Sequence, residues 1–362
     1  MSNGQAILYL EDGAVFAGQS AGAPGETVGE VVFNTSMTGY LEVLTDPSYH
    51  GQLVAMTYPL QGNYGVNPAD VESRRPWAAG FIAREICDEP SNWQSRKSLR
   101  EYLIENGIVA ISGIDTRALT SRIRRFGSML GVISSECFDA DTLKKRIQDY
   151  GKTRRNFVAE VAASEPYTIG DGDIHVAVLD LGIKGSILAN LVSRGVRATV
   201  LPWNATVGQI TDLRPDGLFL SNGPGDPASL TGTVDTVKSL IGRLPICGIC
   251  LGHQIIGLAL GMETYKLKFG HHGGNHPVKD LARDRVFITS QNHNYALKVG
   301  DIPDVEITHV SMNDRTVEGL RHLRHPIVSV QYHPEAAPGP MDSGYIFDQF
   351  IGMIRQNVMP SC

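Results

Sequence analysis

The stretch Pro245-Ile-Cys-Gly-Ile-Cys-Leu-Gly-His-Gln254 constrains this chain more than any other. Ahead of it, Val234, Val237, Leu240, Ile241 and Leu244 fall at helical spacing. A few apolar residues follow, short enough for a buried strand, and then Ile255, Ile256, Leu258 and Ala259 mark a second helix. Cys250 therefore sits between strand and helix, flanked by Gly248 and Gly252. This is the Gly-x-nucleophile-x-Gly pattern with Cys in place of Ser. A sharp turn there pushes the nucleophile out at the carboxyl end of the strand, and neighbouring backbone demands small flanking residues. The N–H groups of the following helix point at the thiol and lower its pKa. Two other readings compete. Gly-x-Cys-x-Gly also arises by chance around a core cysteine. Cys247-Gly-Ile-Cys250 is also a C-x-x-C pair. A redox site of that kind puts its first Cys at the helix start, whereas Cys247 lies inside the apolar run, which makes the redox reading the weaker one.

With 362 residues the chain is long enough for two domains, and 42% hydrophobic against 19% charged residues allows substantial cores. A formal charge of −6 and the lack of a basic run argue against nucleic acid. Five cysteines, an odd number without framework spacing, fit a reducing, cytoplasmic compartment. The N-terminal residues show no basic segment followed by an apolar one, so no signal peptide is expected. No apolar run approaches the roughly 20 residues of a membrane span.

In the first half, residues 6–10 and 15–17 predict a hairpin turning at Glu11-Asp12-Gly13. Residues 30–33, 52–57 and 78–82 predict further strands. Residues 98–106 predict a helix ended by Gly107, Asp115 caps another that carries Leu119 and Ile123, and 142–150 form a third. Arg117, Arg122, Arg124 and Arg125 read better as a solvated face than as a ligand site. The sum is a mixed α/β domain over residues 1–150. Gly151-Lys-Thr153 is not a P-loop, because the position that needs Gly, 146, is Arg. Residues 151–172 are polar and read as a linker.

Residues 173–362 change character. Strands at 176–179, 198–201 and 217–220 alternate with a helix holding Ile187, Leu188, Leu191 and Val192, closed by Gly195. The pattern predicts an open, mostly parallel α/β sheet with helices on both faces, whose sites lie at the carboxyl ends of strands. Two loops fall at such ends: the Cys250 turn, and Ser221-Asn-Gly-Pro-Gly-Asp-Pro227, whose glycines allow a close backbone approach. A thiol nucleophile needs a base and an orienter. The strand at 326–331 runs into Tyr332-His-Pro-Glu335, which offers His333 as base and Glu335 as its orienter. His253 and the run His271-His-Gly-Gly-Asn-His276 are the other candidates. That run lacks a carboxylate or Cys at ligand spacing, so no metal site is expected.

Together, Gly248-Ile-Cys250-Leu-Gly-His-Gln254, Ser221-Asn-Gly-Pro-Gly-Asp-Pro227 and His333-Pro-Glu335 resemble the class I (triad) glutamine amidotransferases. Phe33-Asn-Thr-Ser-Met-Thr-Gly-Tyr40, Leu44-Thr-Asp-Pro-Ser-Tyr49, Gly113-Ile-Asp-Thr-Arg-Ala-Leu-Thr120, Phe269-Gly-His-His-Gly-Gly-Asn-His-Pro277 and Gln291-Asn-His293 narrow the likeness to the small subunit of carbamoyl-phosphate synthase. The resemblance covers nearly the whole chain. It implies a glutaminase whose ammonia passes to a large subunit, which makes carbamoyl phosphate from bicarbonate and ATP for arginine and pyrimidine synthesis. It also implies a heterodimer, no cofactor in this chain, and ATP with Mg in the partner. Carried over by position, Cys250 is the nucleophile, His333 the base and acid, and Glu335 its orienter. The N–H groups of Gly223 and Leu251 form the oxyanion hole. Ser48, Gly223, Gly225, Leu251, Gln254, Asn292, Asn294 and Tyr295 bind glutamine, with Ser48 supplied by the first domain. Asn294 and Tyr295 stand where the family often has Gly and Phe, which predicts a left-handed, positive φ at Asn294.

Overall fold

The computed structural model describes residues 4–298 and 300–358; residues 1–3, where the reading for a signal segment begins, and Cys362 lie outside them. The chain forms two compact units. One holds the residues up to Arg155 together with Lys268–Gly273. The other starts at Asn156, runs to Leu267 and resumes at Gly274.

The first unit begins with the expected hairpin, β1 (Gln5–Leu10) against β2 (Val15–Ser20), antiparallel with Leu8 opposite Phe16. Gly13, at φ 87, closes the turn. There follow β3 (Glu26–Asn34), α1 (Tyr40–Thr45), β4 (Gln52–Met56), β5 (Leu60–Gln61), β6 (Gly80–Ile82), β7 (Glu85–Ile86), α2 (Leu99–Glu105), β8 (Val109–Ser112), α3 (Thr116–Phe126), β9 (Met129–Ser134) and α4 (Ala140–Lys152). A capping box between Ser98 and Glu101 starts α2, and Asp115 caps α3 by accepting from the Ala118 N–H. The order β1-β2-β8-β6-β4-β3-β9 closes into a barrel, while β5 and β7 pair separately. Alternate residues fill one cluster, among them Leu8, Leu10, Val31, Phe33, Leu53, Ala55, Ile82, Ile111 and Ile133, joined by Leu119 and Ile123 of α3. Their strand neighbours Val32, Val54, Phe81 and Ala110 pack with α1 and α2 instead. This two-residue period lets β4, β6 and β8 bury both faces, while β2 alternates exposed and half-buried residues.

The stretch 151–172, expected to be a linker, is structured. It holds the end of α4, the helix α5 (Phe157–Val161) and the strand β10 (Tyr167–Ile169). The second unit continues with β11 (Ile174–Asp180), α6 (Gly185–Val192), β12 (Val196–Pro202), α7 (Val207–Asp212), β13 (Gly217–Leu220), α8 (Thr231–Leu240), β14 (Ile246–Ile249), α9 (Leu251–Ala259), β15 (Thr264–Asp280), β16 (Arg285–Leu297), β17 (Val305–Ser311), β18 (Val317–His322), β19 (Ile327–Val330) and α10 (Tyr345–Val358). These strands form a ten-stranded sheet in the order β10-β12-β11-β13-β14-β19-β18-β17-β15-β16. Its central run, β12-β11-β13-β14-β19, is parallel. Strand β10 pairs antiparallel at one edge, and β18, β17 and β15 extend the other side antiparallel. The sheet is therefore mixed, which corrects the expectation of a mostly parallel one. Antiparallel strands need no crossover helix, and among the described residues none lies between α9 and β19.

The parallel run is covered on both faces. Ala177, Leu179, Leu218, Leu220 and Ile246 face α7, α8 and α9. The alternate residues Val176, Val178, Phe219, Cys247 and Ile249 face α6 and α10. Among the described residues no helix is long and apolar enough to cross a membrane.

Candidate active site

Cys250 lies between β14 and α9 with φ 54 and ψ −106, a conformation that L-residues rarely adopt. Such strain costs about 1–3 kcal/mol and persists only where the surroundings impose it. Here the Cys250 N–H donates to the Val330 carbonyl (2.9 Å), the Gly252 N–H donates to Ser221 (3.0 Å), and the Cys250 carbonyl accepts from Gln254 (3.2 Å). The two flanking glycines have a steric cause. A Cβ on Gly248 would come within 2.6 Å of Ile256 Cδ1, and one on Gly252 within 2.4 Å of the Leu220 carbonyl oxygen.

His333 follows β19, its N–H donating to the Ser290 carbonyl (2.9 Å). Glu335 Oε1 sits 2.6 Å from His333 Nδ1 and also accepts from Lys184 Nζ at 3.0 Å. The Lys184 ammonium donates in addition to the Ala336 carbonyl (2.6 Å). The Lys184 and Glu335 side chains are only 3% and 0% exposed. Burial alone would raise the Glu335 pKa, but the Lys184 cation, followed by His333, draws it well below the usual carboxylate range. Burial likewise opposes a charged His333; the Glu335 carboxylate outweighs it, Cys250 adds to the effect, and the imidazole pKa is raised. The Cys250 thiol points to the Asn292 carbonyl (3.5 Å). His333 Nε2 makes no hydrogen bond, although the thiol is near enough to act on its charge.

The glycine loop after β13 approaches closely. A Cβ on Gly223 would meet the Leu181 carbonyl oxygen at 2.0 Å and Leu251 Cδ2 at 3.0 Å, and Gly225 has φ 93. Leu251 opens α9, and Gln254 stands one turn after Cys250. Gln254 Nε2 donates to the Tyr295 carbonyl (2.7 Å) and to Gln331 Oε1 (2.9 Å). Asn292, Asn294 and Tyr295 all lie on β16. Asn294 is not among the residues with positive φ, so the predicted left-handed backbone there is wrong: the residue continues a strand. Ser48 belongs to the first unit, in a short turn where its N–H donates to Asp46 Oδ1 (2.8 Å).

The rival histidine His253 is fully buried, with Nδ1 2.8 Å from Ser329 Oγ, and burial lowers its pKa to about 3. It is a neutral packing residue rather than a base. His271 and His272 fold with the first unit and His276 with the second. Cys247 is buried in the core, free of any disulfide, and its thiol pKa is pushed up by burial, all contrary to a redox pair. Sequence reasoning missed Lys184 and Gln331. The available signals were a lysine and a glutamine interrupting apolar surroundings at the carboxyl ends of β11 and β19.

A strained cysteine with a buried His–Glu pair is the set of groups that a thiol nucleophile requires. Residues 177–353 match the family described as glutamine amidotransferase class-I, and residues 8–133 match the carbamoyl-phosphate synthase small chain, CPSase domain. The carbamoyl phosphate synthase small chain of Clostridium perfringens is 51% identical over 96% of this chain and 99% of its own. That of Aquifex aeolicus is 51% identical over 97% and 99%. A solved structure described as that of a putative GMP synthase subunit from Thermoplasma acidophilum, 25% identical, aligns over 51% of this chain and 95% of its own with a TM-score of 0.45. The chain belongs to the carbamoyl-phosphate synthase small-chain family and is an enzyme subunit with a class I glutamine amidotransferase domain.

Proposed function

We propose that this chain hydrolyses glutamine through a Cys250 thioester and passes the ammonia to a large synthetase subunit. That subunit makes carbamoyl phosphate from bicarbonate and ATP, with Mg, in the cytoplasm, for arginine and pyrimidine synthesis. The observation that carries the reading is Cys250, held at positive φ between β14 and α9, together with the buried Lys184–Glu335–His333 chain. The thiolate attacks the side-chain amide carbon of glutamine, and the carbonyl electron pair moves to oxygen, stabilised by the N–H groups of Gly223 and Leu251. Collapse of this intermediate breaks the C–N bond, and His333 gives its proton to the departing ammonia. Neutral His333 then takes a proton from water, hydroxide attacks the thioester, and the C–S bond breaks to release glutamate and restore the thiolate. Glu335 holds the imidazole through Nδ1 and stabilises its charged form. Ser48, Gly223, Gly225, Leu251, Gln254, Asn292, Asn294 and Tyr295 form the proposed substrate-binding set, Ser48 being added by the family resemblance.

The test replaces Cys250 with Ser in the complex with its large subunit. Glutamine-dependent carbamoyl phosphate formation should fall by about 10⁴-fold or more, while synthesis from added ammonia continues. Loss of both activities would make Cys250 structural, and retention of both would remove the thioester from the reaction.

A further inference from the structure

Gln331, at the carboxyl end of β19, is completely buried, and its side chain reaches α9. We propose that Gln331 is a positioning residue: it fixes the Gln254 amide so that Gln254 Oε1 is presented to the α-ammonium group of the substrate. The inference rests on the glutaminase reading and refines its substrate recognition.

The argument is one of donor and acceptor valence. An amide nitrogen carries two hydrogens and its oxygen only accepts. Gln254 Nε2 donates both hydrogens, one to the Tyr295 carbonyl at 2.7 Å and one to Gln331 Oε1 at 2.9 Å. Turning the Gln254 amide over would set its oxygen against the Tyr295 oxygen. Turning Gln331 over would set nitrogen against nitrogen. Only the observed arrangement satisfies both contacts, so the Gln254 oxygen is left to accept. Among the described residues no protein group donates to it. An acceptor without a donor, one helical turn from the nucleophile, suits a cationic α-amino group and repels a carboxylate.

Gln331 Nε2, in contrast, is buried without a hydrogen-bond partner. A buried amide nitrogen left unpaired is unfavourable, and packing alone would be better served by an apolar side chain. The residue therefore acts through its oxygen. The same α9 face meets β16 twice, through the Cys250 thiol at the Asn292 carbonyl and through Gln254 at the Tyr295 carbonyl. Fixing Gln254 thus sets substrate orientation relative to the attacking sulfur.

The test compares glutamine with glutaramate, which lacks the α-amino group, as substrates for the complex with its large subunit. In Gln331→Leu, kcat/KM for glutamine should fall about 10- to 100-fold, mainly through KM, in line with loss of an oriented hydrogen bond to a charged group. For glutaramate it should change less than about 3-fold by the same reasoning, so the preference for glutamine shrinks. Gln331→Glu, which keeps an acceptor, should retain the preference. If Gln331→Leu does not accumulate folded, Gln331→Met has similar length without the acceptor and carries the same expectation. Equal losses on both substrates would reduce Gln331 to packing and overturn the proposal, as would an unchanged preference. A wild-type complex that fails to hydrolyse glutamine would overturn the glutaminase reading itself, and this proposal with it.

Discussion

The parallel and antiparallel halves of the second unit's sheet serve the site in different ways. The parallel half supplies side chains: Lys184 after β11, Cys250 after β14, and His333 with Glu335 after β19. The antiparallel half supplies backbone: the Asn292 and Tyr295 carbonyls of β16 receive the Cys250 thiol and the Gln254 amide. Geometry accounts for the division. The carboxyl end of a parallel strand turns into a loop and then a helix, so side chains there converge over one edge of the sheet. A strand passing alongside offers its carbonyl oxygens at fixed spacing. Substitutions should accordingly be costly where the parallel half places side chains and mild along β16.

The largest effect is expected at Lys184. Replacing it with Met leaves Glu335 as a buried carboxylate with a single partner, and breaking such a pair costs about 3–5 kcal/mol. The sign of the pH dependence follows from the depressed Glu335 pKa. A carboxyl held below its unfolded value, about 4.3, contributes stability above that value and loses it as pH falls through the folded pKa. Lys184→Met should therefore lie furthest below the wild type in Tm at neutral pH, and the gap should narrow as pH drops below the ordinary Glu range. Its kcat should fall as well, because His333 loses part of what holds its charge. A Tm gap constant from pH 3 to 8 would mean that Lys184 acts by packing alone.

A smaller loss is expected from Gly252→Ala. The added Cβ would lie 2.4 Å from the Leu220 carbonyl oxygen and 2.7 Å from Leu220 Cβ, where backbone must shift. Overpacking of this kind costs about 1–3 kcal/mol. Thermal unfolding measures it, and an unchanged Tm would show that α9 can slide away from β13, so that close packing does not fix the Cys250 turn.

The same division governed how much the sequence disclosed. Cys250, His333 and Glu335 stood out in the sequence because strand–turn–helix alternation leaves a clear hydrophobic rhythm around them, and the structure sets Cys250 at positive φ after β14 and His333 against Glu335 after β19. Lys184 left no motif. Its partner Glu335 is 151 residues away, and a buried lysine cannot be told from an exposed one without that partner. The antiparallel half was poorly legible because histidine- and asparagine-rich segments interrupt the apolar pattern of β15 and β16. Barrel closure in the first unit depends on β1 pairing with β9, more than a hundred residues on, which no local pattern encodes. The segment 151–172 looked like a linker because β10 is a three-residue, exposed edge strand, too short to leave a periodic apolar pattern.

Asn294 was misjudged for a related reason. The family resemblance led to an expected Gly-like, left-handed residue, but the backbone is extended within β16. A Gly there would relieve no strain; it would only remove a side chain. Asn294→Gly should therefore change kcat/KM for glutamine by less than about 3-fold and lower stability by no more than the roughly 0.5–1 kcal/mol that glycine costs in a strand. Steady-state kinetics of the complex would check this, with Tm measured alongside. A change above about tenfold in KM, equivalent to about 1.4 kcal/mol, would show that β16 meets the substrate through the Asn294 side chain. The division between side chains from the parallel strands and backbone from the antiparallel ones would then fail at that residue.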